Sequence, residues 1–104
     1  MLATLSAEPL SSHDAAVLAI HGDLDIAAAP RVRTAIGDLM GQGVRHLEVD
    51  LADCEFIDST GIGALLWGAR RMEAAGGDLV AVHVHGAAAR TFEVSGVEDV
   101  LEVR

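Results

Sequence analysis

Between His46 and Val84 the hydrophobic pattern changes period twice, and this constrains the fold more than any other feature of the chain. Leu47, Val49 and Leu51 alternate with His46, Glu48 and Asp50. A repeat of two places the apolar set on one face of a strand. From Ser59 or Thr60 the spacing lengthens: Ile62, Leu65, Leu66, Ala69 and Met72 share one helical stripe, and Gly76-Gly77 ends it. Leu79 to Val84 is again a strand-length apolar run rich in β-branched residues. Strand, helix and strand in that order make one right-handed crossover, with the two strands as parallel neighbours.

The flanking segments extend this unit. Leu2 to Ala7 reads as a short edge strand, ended by Glu8-Pro9 and the polar Ser11-Ser12-His13-Asp14. Ala16 to Ile20 is continuously apolar up to Gly22, a pattern that predicts a strand covered on both faces. Ala27 to Met40 reads as a helix with Val32, Ile36, Leu39 and Met40 on its stripe, Pro30 in the first turn, and Gly41 and Gly43 as the stop. A third helix spans roughly Ala87 to Val94 and closes at Gly96, and the tail Val100 to Val103 is too short to assign. No repeat, low-complexity tract or charge block divides the sequence, so residues 1–104 read as a single domain. The fold class is α/β: a small mixed, mostly parallel sheet with helices packed mainly on one side.

Composition narrows the chemistry. Aromatic residues are 3%, namely Phe56, Trp67 and Phe92, so Val, Leu, Ile and Ala must build the core; Trp67 is expected within it, the alternative being an apolar spot on a partner-facing surface. All seven cations are Arg, against 16 Asp and Glu, for a formal net charge of −9. Such a chain is repelled by nucleic-acid phosphates and anionic membranes, so Arg31 and Arg33 read as an ordinary solvated face. Cys54 has no second cysteine to pair with and reads as a packing residue, its pKa raised by Asp53 and Glu55. With no signal-peptide pattern and no apolar run of membrane-spanning length, the expected location is cytoplasmic. His83 and His85 share a strand face, but zinc would need further ligands, so a solvated pair is expected and no metal. Gly61-x-Gly63 is no phosphate-cradling loop, because a chain without Lys cannot supply the lysine of such loops. No cofactor is expected.

The chemistry-bearing stretch is Asp50 to Leu66, which leads from a strand end into a helix start with Asp58, Ser59 and Thr60 at the cap. Free backbone N–H groups and the positive end of the helix dipole meet there. A hydroxyl in that position is exposed, rigidly held, and able to carry a phosphate. The simplest role for these three residues is N-capping, worth about 1 kcal/mol. Gly61 and Gly63 are poor helix formers, each costing about 1 kcal/mol relative to Ala, and read as leaving the helix start open to another protein surface. Phe56 and Ile57 are expected to anchor the loop from below. A Ser59 hydrolase is not supported: there is no Gly-x-Ser-x-Gly elbow and no His at a spacing that places it beside Ser59.

Asp50-Leu51 through Leu66 closely resembles the signature of STAS domains, particularly the bacterial anti-sigma factor antagonists. Ile20-His21-Gly22-Asp23-Leu24-Asp25, followed by Ala28-Ala29-Pro30 and Val32-Arg33, resembles that family's strand, acidic loop and first helix, and Phe92 to Val97 is a weaker third match. The resemblance implies a partner-switching phosphoprotein rather than an enzyme. Its Ser59 is phosphorylated by an anti-sigma factor that is also a serine kinase, and a serine phosphatase reverses this. The unmodified form binds the anti-sigma factor and releases the sigma factor, whereas the phosphorylated form does not. Ser59 is preferred as acceptor because it directly follows Asp58, with Thr60 as a second candidate. The implied partner surface comprises Asp23, Asp25, Asp58, Ser59, Thr60, Gly61 and Gly63 on a monomer. Related STAS proteins serve as scaffold subunits of stress-sensing complexes or as cytoplasmic partners or tails of transporters. Those are the alternative readings, and the absence of a membrane segment argues against a transporter tail.

Overall fold

A computed structural model describes residues 2–104. Two strands come first, β1 (Thr4–Pro9) and β2 (Ala15–His21), followed by α1 (Ala29–Gly41), β3 (His46–Asp50), α2 (Ser59–Ala74), β4 (Asp78–Val82) and α3 (Gly86–Ser95). A single 3₁₀ turn (Val97–Asp99) then leads into β5 (Glu102–Val103). The five strands lie side by side in sequence order; β1 is antiparallel to β2, and every later pair is parallel. Three crossovers therefore step across the sheet in the same direction. Because such crossovers are right-handed, they deliver α1, α2 and α3 to the same face.

That face carries the core. Leu18 stands opposite Val49, and Val49 opposite Ala81, in one continuous row across the sheet. These residues pack into a single cluster with Val32, Ile36 and Leu39 of α1, Leu65, Ala69 and Met72 of α2, and Ala88 and Phe92 of α3. The scarcity of aromatics lets the layers approach closely. At Gly68, where α2 passes α1 and β4, an added Cβ would lie 2.7 Å from Ile36 Cδ1 and 2.9 Å from Leu79 Cδ1.

The opposite face has no helix on it, and this corrects the expectation for β2. Ala16, Leu18 and Ile20 are buried, while Ala15, Val17 and Ala19 between them are only half-buried. The continuous apolar run hides a one-sided strand, because small Ala and Val side chains leave little apolar surface exposed. The helix-free face carries the row Val17, Glu48, Val80 and Glu102, in which charges alternate with β-branched residues; Val17 and Glu48 are half-buried and Glu102 is exposed, whereas Val80 is buried.

Other boundaries shift for local reasons. β1 runs on to Pro9, which an edge strand tolerates at its end because its missing N–H faces away from the ladder. β4 stops at Val82 because His83 adopts φ +58°, outside the extended region, and so His83 and His85 do not share a strand face. The tail pairs with β4 as β5. Trp67 is half-buried at the rim of the core rather than within it, with the Arg71 guanidinium 5.0 Å from its ring centroid. No helix among the described residues is long and apolar enough to cross a membrane.

Candidate functional site

The site forms where the loops after β2 and β3 meet, at the carboxyl ends of two adjacent parallel strands, the place where such sheets present their functional groups. The two loops are tied by backbone hydrogen bonds. Leu24 N–H donates to Phe56 O at 3.0 Å, Asp58 N–H donates to Leu24 O at 3.2 Å, and Gly22 N–H donates to Asp53 O at 3.1 Å. This pairing makes a one-residue parallel bridge between Leu24 and Ile57, whose side chains are both fully buried. The acidic pair Asp23 and Asp25 is thereby fixed beside the start of α2. Asp25 also accepts from the N–H groups of Ala27 and Ala28, each at 3.1 Å, which shapes the turn leading into α1.

Asp58 is the N-cap of α2, with extended backbone, and its Oδ1 accepts from Gly61 N–H at 3.0 Å. The Thr60 hydroxyl donates to the same oxygen at 2.5 Å. These two donors, Thr60 first, hold the Asp58 carboxyl below the usual carboxylate range, so it is anionic at neutral pH. Thr60 is thus engaged. The Ser59 side chain is exposed, and among the described residues its hydroxyl has no hydrogen-bond partner. Sequence order favoured Ser59 over Thr60, and the geometry adds a reason that spacing does not contain.

Of the residues expected on the partner surface, Asp23, Asp25, Asp58, Ser59, Thr60 and Gly63 are exposed or partly exposed around this junction. Gly61 requires a correction. It is buried, and an added Cβ would stand 2.3 Å from Leu24 O, 2.8 Å from Leu24 Cγ and 2.9 Å from Ile57 Cγ1. It is glycine because the acidic loop lies directly on it, not because it leaves a surface open. Gly63 has nothing within 4 Å of that position and does face outward.

Phe56 also departs from expectation. Ile57 anchors the loop from below, but Phe56 is 47% exposed, and Ile26 on the neighbouring loop is 71% exposed. Both place apolar surface beside the acidic cluster. Neither was legible from spacing, because a single apolar residue in a loop carries no period. Cys54 is fully buried, its Sγ–H directed at Phe56 O at 3.2 Å. Burial pushes its thiol above the ordinary value, with the Asp23 charge a minor contributor, so the cause is burial and not the flanking Asp53 and Glu55.

A Ser–His–Asp chain does occur, on Ser6 rather than Ser59. His21 Nδ1 lies 2.8 Å from Asp53 Oδ2 and its Nε2 lies 3.3 Å from Ser6 Oγ. The carboxylate only accepts, so Nδ1–H donates to it and, in the neutral ring, Nε2 accepts from the Ser6 hydroxyl. All three groups lie exposed on the surface and tie β1 and β2 to the loop before the cap. His85 Nε2–H donates to Ala52 O at 2.8 Å, and no cluster suited to a metal occurs among the described residues.

With the fold and this junction in view, comparison with known proteins assigns the class. Residues 10–102 match the family described as "Mlab, STAS domain". The chain belongs to the STAS domain family. Among curated proteins it is similar to the anti-sigma-B factor antagonist of Bacillus subtilis, at 29% identity over 84 residues, 81% of this chain and 76% of that one. Among solved structures it is similar to the anti-sigma factor antagonist SpoIIAA in its unphosphorylated form, with TM-score 0.81 and 22% identity over 97% of this chain and 88% of that one. The phosphorylated form of SpoIIAA, a Bacillus cell fate determinant, gives TM-score 0.73 and 24% identity over 97% and 91% of the respective chains.

Proposed function

We propose that this chain is an anti-sigma factor antagonist acting by partner switching, with the Ser59 hydroxyl as its switch. The observation that carries this reading is the unpartnered Ser59 hydroxyl at the mouth of α2, next to a locked, anionic Asp58. The names of the curated relatives supply the biological class. The unmodified face, comprising Asp23, Asp25, Asp58, Ser59, Thr60 and Gly63 together with Phe56 and Ile26, binds an anti-sigma factor that is also a serine kinase, and the sigma factor is released. The kinase then transfers the γ-phosphoryl group of ATP. A bond forms between Ser59 Oγ and phosphorus, the bond to the β–γ bridging oxygen breaks, ADP leaves, and the hydroxyl proton passes to a base on the kinase. In this reading the chain is a ligand and substrate rather than an enzyme, works as a cytoplasmic monomer, and is reset by a serine phosphatase.

The added phosphate brings about −1.5 to −2 charges to a junction already lined by Asp23, Asp25 and Asp58. The helix N-terminus holds that charge without refolding, while a fitted partner meets new bulk and repulsion. A loss of about 3 kcal/mol lowers affinity on the order of a hundredfold, enough to end the complex.

The test is to incubate the purified chain with ATP and, one at a time, the kinase-type anti-sigma factors of the same organism. Intact mass and a binding isotherm are the readouts. One of them should bind and add a single phosphate, Ser59→Ala should bind without modification, and Ser59→Asp should not bind. Phosphate on Thr60, binding that survives Ser59→Asp, or no kinase that binds would each overturn the reading. Assembly into large particles would instead favour a stress-complex scaffold.

A further inference from the structure

The exposed flank of α2 that starts at Ser59 continues through Gly63, Trp67, Arg70 and Ala74, at the three- and four-residue spacing that aligns side chains along a helix. With Leu66 and Arg71, the last four line an open groove of about 380 Å³. All six lining residues belong to α2, so the groove is an open helix face, with an apolar floor at the half-buried Leu66 and Trp67 and the exposed Arg70 and Arg71 toward its C-terminal end. Gly63 keeps the near end unobstructed toward Ser59. In a chain with 16 Asp and Glu, none lines this groove. Neither Arg70 nor Arg71 forms an ion pair among the described residues, whereas Arg104 pairs with Glu102. Arg71 instead lies over the Trp67 ring.

We propose that this groove is a second docking surface for the same regulator that modifies Ser59. It takes a segment of that regulator bearing an apolar side chain for the Leu66–Trp67 floor and a carboxylate for Arg70 and Arg71. The proposal rests on the switch reading above. Charge complementarity selects the occupant: the Ser59 end of the stripe is surrounded by acids and repels carboxylates, while the Arg70–Arg71 end offers two unpaired cations. A partner lying along α2 therefore has one register, with its carboxylate distant from Ser59. That register places its catalytic groups at the hydroxyl. A second copy of this chain is disfavoured as occupant, since both copies carry a net charge of −9.

Trp67 is the sole tryptophan, so its indole Nε1–H resonance reports the groove directly. With the kinase identified above as probe, that resonance should shift or broaden on complex formation. The exposed pair Arg70→Glu/Arg71→Glu should weaken binding tenfold or more and raise the KM for Ser59 phosphorylation while leaving kcat nearly unchanged. Trp67→Ala should act in the same direction, and the arginine pair keeps the test valid if loss of the indole unsettles the fold. Unchanged affinity in the arginine pair, with Ser59→Asp still abolishing binding, would overturn the groove and leave the switch intact. Failure of every kinase to bind wild type would remove both. Self-association that is lost in Trp67→Ala would reassign the groove to a second copy and overturn the proposal.

Discussion

Gly61 and Gly63, two positions apart in the first turns of α2, show how far residue type alone can mislead. By helix propensity they are equivalent, each about 1 kcal/mol worse than Ala. Packing separates them. At Gly61 a methyl group would press on a backbone carbonyl, Leu24 O at 2.3 Å, which cannot move without breaking the bond it accepts from Asp58 N–H. Gly61→Ala is expected to destabilise the fold by about 1–3 kcal/mol, the usual cost of overpacking. Gly63→Ala, with open space around it, is expected to stabilise by up to about 1 kcal/mol. Urea-unfolding midpoints of the two variants should move in opposite directions, and movement in the same direction would refute the packing assignment. Phe56 carries the same lesson: Cys54, two residues earlier in the same loop, is buried as its residue type suggested, but the aromatic ring expected beneath the loop is 47% exposed.

At the scale of elements, the parallel strands are pinned at both ends, and one of the pins titrates. His46 opens β3 at the end of the sheet opposite the switch. Its Nδ1–H donates to Asp78 at the start of β4 at 2.8 Å, and its Nε2 lies 3.8 Å from Asp14, just before β2. The hydrogen bond to Asp78, aided by the charges of both acids, raises the imidazole above its ordinary value. A raised folded-state value means that the charged ring favours the folded protein. This contribution is complete below about pH 6.5, the ordinary histidine value, and disappears as pH rises through the higher folded value. The thermal midpoint of wild type should therefore fall modestly relative to His46→Gln as pH is raised from 6 to 8. A constant difference between the two proteins over that range would dismiss the pin. The effect is small because the pair is exposed to solvent. It also lies away from Ser59, so binding at the switch should not follow it.

For the whole molecule, the direction of the crossovers decides what phosphorylation can do. With all three helices on one face and a single core beneath them, the acidic loop and the cap sit on a rigid frame held by the Leu24–Ile57 bridge. The proposed switch is accordingly local. In Ser59→Asp or the phosphorylated form, backbone amide shifts should change mainly across Gly22 to Ala28 and Phe56 to Gly63. Changes spread through the sheet would instead indicate a global rearrangement.

Much of this was readable beforehand. The alternation at Leu47 to Leu51, the stripe from Ile62 to Met72 and the run from Leu79 imposed the crossover, because each period belongs to one backbone geometry. The cap at Asp58 followed from residue chemistry, since a short acceptor side chain before a helix satisfies its free N–H groups. Long-range placement was not readable. The pattern of β2 suggested two covered faces, and only the shared direction of the crossovers showed that one is open. Trp67 was expected in the core because of its size and apolar type, yet it lies off the stripe of Ile62, Leu65, Ala69 and Met72 and sits at the rim with Arg71 above it. Local periodicity encodes which face of an element is apolar. What lies against that face depends on segments far away in the chain, and no short-range pattern carries that information.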